Sequence, residues 1–193
     1  MTRRLVLAST SAYRAELLRR LTAAFEQRAP QVDESAGAGE TPRALAVRLA
    51  ETKARAVAAH CVDALVIGSD QTAELNGAVL GKPGDAAAAR AQLQHSSGRE
   101  VLFHTAWCLL DTRDGRLQRG CDLTRVRFRN LDAAEIARYV EREQPLDCAG
   151  SFKSEGLGIA LFERIESEDP TALIGLPLIA LTHALRICGL PLP

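Results

Sequence analysis

Two short apolar runs, each broken off by small polar residues, constrain this chain most. They are Leu5-Val6-Leu7-Ala8, ahead of Ser9-Thr10-Ser11, and Ala64-Leu65-Val66-Ile67-Gly68, ahead of Ser69-Asp70-Gln71. An unbroken apolar run offers water no polar side, so a strand made from it must be covered on both faces. The intervening sequence supplies the covers. Ser11 reads as the N-cap of a helix carrying Leu17, Leu18 and Leu21 on one side. Thr41-Pro42 opens a second helix, running to about His60 with Leu45, Leu49 and Val57 along its seam. The second apolar run is read as ending at Ser69-Asp70-Gln71.

The middle of the chain changes character. Asn76-Gly77, between Glu74-Leu75 and Val79-Leu80, is a two-residue hairpin signal. Gly81-Lys82-Pro83-Gly84 precedes an Ala-rich helix capped by Asp85, and residues 100–128 read as two longer strands joined near Asp114-Gly115. Asp132 and Glu135 form a capping box, with Leu131 and Ile136 as its hydrophobic staple, for a helix ending before Pro145. A short strand around Ile159 to Phe162 and a last helix from about Pro177 to Cys188, closed by Gly189, complete the pattern. The expectation is α/β: one domain over 1–193, with a mixed sheet flanked by helices and cleft into two lobes. At 193 residues the chain can bury a core without metal or disulfide staples.

Composition narrows the partners. Lys and Arg number 24 and Asp and Glu 24, so no overall field draws the chain to nucleic acid or an anionic membrane. Aromatic residues make up 4%, too few for a base-stacking platform. Arg125, Arg127 and Arg129 give one face of a strand a basic row without interleaved aromatics, read as a solvated or dimer-facing surface. Five widely spaced cysteines without a C-x-x-C pair favour reduced thiols. Arg3-Arg4 precede only four apolar residues, and no run approaches the ~20 of a membrane span. These features predict a soluble, cytoplasmic protein. A homodimer through residues 100–130 stays open. The four histidines lack metal-ligand spacing and read as structural. Glu166, Glu168 and Asp169, before Pro170, read as a solvated acidic turn.

A handful of positions carry possible chemistry. Asp70, at the expected end of a buried strand, suits Mg²⁺ binding or proton abstraction from water, and equally an ordinary turn. Ser9 and its neighbours open a helix, where backbone N–H groups and hydroxyls bind phosphate or merely cap, and Arg14 sits in the first turn. Lys53 breaks the seam of the second helix, so it must snorkel or meet a buried anion. Lys82 is held between Gly81 and Pro83. Together with Glu34 these residues fit a metal-triphosphate site, though spacing alone does not bring them together.

The ordered blocks Leu7 to Arg14, Val32-Asp33-Glu34, Glu51-Thr52-Lys53-Ala54, Ile67 to Gln71, Gly81-Lys82-Pro83, Asp147 to Gly158 and Ile174 to Leu178 resemble those of the Maf-type nucleotide pyrophosphatases across essentially the whole chain. The resemblance implies a Maf/ITPase-like fold, elongated, with a central cleft between its two lobes. It also implies hydrolysis of a nucleoside triphosphate between the α and β phosphates, with Mg²⁺ or Mn²⁺ as cofactor. Position by position, Asp70 resembles the catalytic acidic residue and metal ligand. Ser9, Arg14, Lys53 and Lys82 resemble phosphate ligands, and Glu34 a metal or water partner.

Three positions are similar to one branch of that family. Many members carry Arg, Thr and Gln where this chain has Tyr13, Gln71 and Glu155, and those prefer dTTP and UTP. Tyr13, Gln71 and Glu155 together resemble the branch acting on 7-methyl-GTP. N7-methylation makes guanine cationic, which favours an aromatic face by roughly 0.5–2 kcal/mol. A Glu carboxylate accepts from guanine's N–H donors, each such bond being worth about 1.5–3 kcal/mol. The implied activity is conversion of 7-methyl-GTP to 7-methyl-GMP and diphosphate. The alternatives are dTTP, UTP or another modified nucleotide as substrate, or a nucleotide-binding regulator of cell division that does not hydrolyse. Ala12 in place of the usual Pro, Tyr13 in place of Trp and Cys148 in place of the wider family's Lys are departures.

Overall fold

The computed structural model describes residues 3–193. The first apolar run forms β1 (Arg4–Ala8) and the second opens β3 (Ala64–Leu75). The two pair in parallel, from Arg4 opposite Ala64 to Ala8 opposite Gly68. Between them in sequence lie α1 (Ala12–Arg19), the short strand β2 (Glu26–Arg28) and α2 (Pro42–Ala58). Ser11 and Thr41 cap the two helices as the sequence predicts, each accepting a first-turn backbone N–H.

Both faces of the parallel pair are covered, which is why these strands read as unbroken apolar runs. Leu5, Leu7, Leu65 and Ile67 face α1 and the C-terminal helix α5 (Leu178–Ile187), packing on Leu17, Leu18, Leu181 and Leu185. Val6, Ala8, Ala64 and Val66 face α2, packing on Ala46, Ala50 and Ala54. The alanine row lets α2 approach closely. A Cβ built on Gly68 would stand 2.1 Å from the Ala50 carbonyl oxygen, so only glycine fits beneath this helix.

β3 does not end at Gly68 as the sequence suggested. It continues for 12 residues because β5 (Glu100–Asp111) pairs with it antiparallel, from Leu65 opposite Asp111 to Glu74 opposite Leu102. Asp70 therefore lies within the strand, two residues past the point where β1 stops pairing. The Asn76-Gly77 hairpin turns β3 into β4 (Ala78–Leu80). α3 (Ala86–Ser96) follows its Asp85 cap, and β6 (Leu117–Phe128) pairs with β5. α4 (Ala133–Glu143) starts at the predicted capping box. The short strand expected around 159–162 falls later: Leu157–Leu161 is a 3-10 turn, and β7 is Phe162–Glu166.

The seven strands form one mixed sheet in the order β2-β1-β3-β5-β6-β7, with β4 on β3. Beyond Asp70 the sheet carries a second core. Ala73, Leu75, Val101, Phe103, Val126 and Phe128 pack there on α3, α4 and the 149–161 segment. Phe152 lies edge-on to Phe103, Phe128 and Phe162 at centroid distances of 4.7–5.7 Å. Arg125 and Arg127 are exposed on β6 and Arg129, just after it, is half-buried, but Glu100, Glu163 and Glu135 lie 3.2–3.6 Å from them. Among the described residues, no helix is long and apolar enough to cross a membrane.

Candidate active site

A cleft of about 750 Å³ opens where the two cores meet, within the size range of small-molecule sites. All nine residues singled out from the sequence line it: Ser9, Tyr13, Arg14, Glu34, Lys53, Asp70, Gln71, Lys82 and Glu155. Strand parity explains Asp70. Val66, Gly68 and Asp70 alternate onto the α2 face, and Lys53 comes down from α2 to meet the carboxylate at 2.6 Å. The same ammonium lies 2.7 Å from Glu34 Oε1. Lys53 and Asp70 are 5% and 7% exposed, so this lysine meets an anion and does not snorkel. Burial pushes the Asp70 carboxyl above the usual carboxylate range, opposed by the positive charges of Lys53 and Arg14. Glu34 is exposed, on a segment that Arg48 steadies by donating to the Ser35 carbonyl at 2.9 Å.

The β1–α1 turn forms the adjoining wall. Ser9 is buried, and its hydroxyl accepts the Ser11 N–H at 3.1 Å. Arg14 is half-buried and donates from Nε to the Gly175 carbonyl at 2.9 Å. Desolvation lowers its pKa, while Asp70 and Glu34 raise it. Lys82 is exposed on the loop after β4. Gln92 steadies that loop by donating to the Gly81 carbonyl at 3.0 Å, and its own carbonyl oxygen accepts from Ser151 at 2.6 Å. Lys53, Arg14, Asp70 and Glu34 thus form one interacting charged group.

Tyr13 belongs to a second group. It precedes Arg14 in the first turn of α1 and is half-buried. Its phenol is pushed up to about 12 by burial, then by Cys148, Asp147 and Glu155. Cys148 donates to Asp147 Oδ1 at 3.5 Å and remains a thiol, held up at about 12 by burial. Glu155 is exposed and accepts from Ser154 at 3.2 Å. Phe103 and Phe152 also reach the cleft wall but are 1% and 5% exposed. Tyr13 is therefore its accessible aromatic ring.

Gln71 sits differently. Its Nε2 donates toward Thr105 Oγ1 at 2.9 Å and toward the Ala172 and Leu173 carbonyls at 3.0 Å each. Among the described residues this leaves Oε1 as its atom without a hydrogen bond.

Sequence reasoning passed over two features. Asp147 reaches Tyr13 electrostatically; it opens one of the blocks that carry the family resemblance but had no role assigned to it. Asp169, read as part of a solvated turn, is 3% exposed; Glu166 and Glu168 are exposed as expected. Its buried carboxylate accepts from the backbone N–H groups of Thr171 and Ile179 and lies against the Thr171 hydroxyl, as described below. Among the described residues no group of three or more His, Cys, Asp or Glu gathers as in an all-protein metal site.

The family model described as Maf-like protein matches residues 4–188. Relatives named 7-methyl-GTP pyrophosphatase include one from Xanthomonas oryzae pv. oryzae (strain KACC10331 / KXO85), 57% identical over all of both chains. Another, from Xanthomonas campestris pv. campestris (strain 8004), is 58% identical over all of both. One from Paraburkholderia xenovorans (strain LB400) is 56% identical over 98% of this chain and 94% of its own. The solved structure of the Staphylococcus aureus Ham1 protein aligns with 66% of this chain and 72% of its own, at a TM-score of 0.47 and 17% identity. On the match along nearly its whole length and on these identities, the chain belongs to the Maf-like protein family.

Proposed function

We propose that this protein hydrolyses 7-methyl-GTP at the α–β phosphoanhydride bond, releasing 7-methyl-GMP and diphosphate and so clearing a modified nucleotide from the cytoplasmic pool. The observation that carries the reading is Tyr13, a half-buried aromatic ring with Asp147 and Glu155 close enough to raise its pKa. A ring flanked by carboxylates favours a cationic base over a neutral one through cation–π and charge attraction. The name 7-methyl-GTP pyrophosphatase, carried by relatives 56–58% identical, supports the same substrate. The five free thiols suit a reducing compartment.

In this reading Ser9, Arg14, Lys53 and Lys82 hold the triphosphate, and Lys53 keeps Asp70 ionised. Asp70 takes the proton of the attacking water. Glu155 accepts from the N–H edge of the base while Tyr13 covers its face. Gln71 offers Oε1 to the base, its nitrogen being committed to the protein.

A divalent cation fits this donor set. Asp70 and Glu34 converge on one ammonium, and Mg²⁺ or Mn²⁺ commonly takes one or two carboxylates and completes its sphere with phosphate oxygens and water. When bound, such an ion polarises the phosphoryl oxygens and offsets charge on the departing diphosphate. The test is diphosphate release from 7-methyl-GTP, GTP, dTTP and UTP with Mg²⁺ or Mn²⁺. A clear preference for 7-methyl-GTP is expected. Equal rates would remove the base assignment, and tight binding without turnover would favour a regulator.

A further inference from the structure

We infer that Asp169 and Thr171, which do not line the cleft, are positioning residues that hold Asp70, Gln71 and Arg14 in register through the segment 171–175. α5 begins after Pro177, which contributes no capping side chain. Its first amide donors would be left without partners. Asp169 and Thr171 supply them from upstream. Asp169 Oδ2 accepts the Ile179 N–H at 2.6 Å, and Thr171 Oγ1 accepts the Leu178 N–H at 2.9 Å. Asp169 Oδ1 accepts the Thr171 N–H at 2.8 Å. The Thr171 hydroxyl lies 2.6 Å from that oxygen and 2.8 Å from the Leu176 carbonyl, with one proton for the two. A carboxylate at a helix N-terminus is also favoured by the helix dipole. The result is a closed knot over residues 169–179.

The knot presents three carbonyls to the site. Gly175 turns its carbonyl with φ 129°, a backbone angle that disfavours any side chain. That oxygen accepts from Arg14 Nε at 2.9 Å and from Ser69 Oγ at 3.0 Å. The Ala172 carbonyl accepts from Thr105 at 2.9 Å and from Gln71, and the Leu173 carbonyl accepts from Gln71. Ser69 and Gln71 flank Asp70 and point to the opposite face of β3. The three residues are therefore clamped from both sides, by Lys53 on one and by this segment on the other. One loop also ties Gln71, a base contact in our reading, to Arg14, a phosphate contact. A shift there of about 1 Å costs up to roughly 10²-fold in rate.

The experiment compares wild type with Asp169→Asn, Thr171→Val and Thr171→Ser. One arm is kinetic, on whichever triphosphate wild type turns over. The other is the NMR signal of the Gln71 side-chain amide. Asp169→Asn and Thr171→Val are expected to lower kcat/KM roughly 10- to 100-fold, with loss in kcat as well as a rise in KM. Both should move the Gln71 signal toward that of a free glutamine. Thr171→Ser keeps the hydroxyl and should restore both. Folded variants with wild-type kcat and an unmoved Gln71 signal would overturn the inference, since a purely structural role lowers only Tm. Should the variants fail to fold, wild type alone decides, because its Gln71 amide protons must exchange more slowly than those of exposed Gln94. Equal exchange would overturn the inference as well. The kinetic arm rests on the pyrophosphatase reading: a wild type that hydrolyses no triphosphate refutes that reading and leaves the NMR arm to decide this one.

Discussion

A lysine with 5% exposure needs anions fixed against its buried end, and Asp70 and Glu34 stand 2.6 and 2.7 Å from Lys53 Nζ. Removing the ammonium while keeping the apolar stem isolates its electrostatic part. Lys53→Met should destabilise the fold by about 3 kcal/mol, because Asp70 is left buried without its nearest counter-charge. Urea unfolding at neutral pH measures this, and an unchanged midpoint would refute it. Asp70 also sets a pH dependence. Its folded pKa is raised above 3.8, so the native state binds the proton more tightly than the unfolded chain. Its contribution to stability is therefore greatest at low pH and declines as pH rises through the folded pKa. Activity runs the other way, because a proton acceptor works as the carboxylate. The acid limb of kcat/KM should lie above 3.8, and Lys53→Met should move it further up. A limb at or below 3.8, or one that Lys53→Met leaves in place, would contradict the assignment.

Lys53 reaches Asp70 because α2 lies close on β3. At Gly68 a Cβ would meet the Ala50 carbonyl oxygen at 2.1 Å and the Ala54 nitrogen at 2.7 Å, both backbone atoms of α2. Gly68→Ala must therefore lift the helix. We expect a cost of about 1–3 kcal/mol, together with a fall in kcat as Lys53 moves with it; calorimetry and initial rates measure the two. Wild-type stability and rate in this variant would contradict the close approach of α2 to β3. Much at this scale was legible in the sequence, for local reasons. Ser11, Thr41-Pro42, Asp85 and the Asp132–Glu135 box mark helix starts with residues near the start itself. Lys53 stood out because it breaks its own helix seam. What escaped depends on distant partners. β3 outruns its apolar run because β5 continues the ladder past β1, and no pattern within residues 64–75 reports that. β2 is three polar residues, Glu26-Gln27-Arg28, held at a sheet edge by β1. Asp169 looked like part of an exposed acidic turn because its partners include the backbone of Ile179, ten residues on.

Across the whole molecule the charge sum is zero, with 24 basic and 24 acidic residues, and the structure distributes it in pairs. The β6 arginines face glutamates, and Arg3, just ahead of β1, closes on Asp111 at the end of β5. That latch holds the Asp111 carboxyl down at about 2. A depressed carboxyl stabilises the fold at pH above its unfolded value, and this support fades as pH falls through about 2. Arg3→Gln should therefore lower Tm at neutral pH and bring it closer to wild type in strong acid. A Tm difference independent of pH would refute this. Within the cleft, ionisable residues gather into two groups. Lys53, Arg14, Asp70 and Glu34 form one group, and Tyr13, Asp147 and Glu155 form another. In our reading the first handles phosphates and water, and the second the base. The most direct measurement of this division is kcat/KM for 7-methyl-GTP against GTP, in wild type and in Glu155→Gln. A strong preference for the methylated nucleotide is expected in wild type, and it should shrink in the variant because the cationic base loses more than neutral guanine when the carboxylate is removed. Equal rates on the two nucleotides in wild type, or a preference untouched by Glu155→Gln, would contradict it.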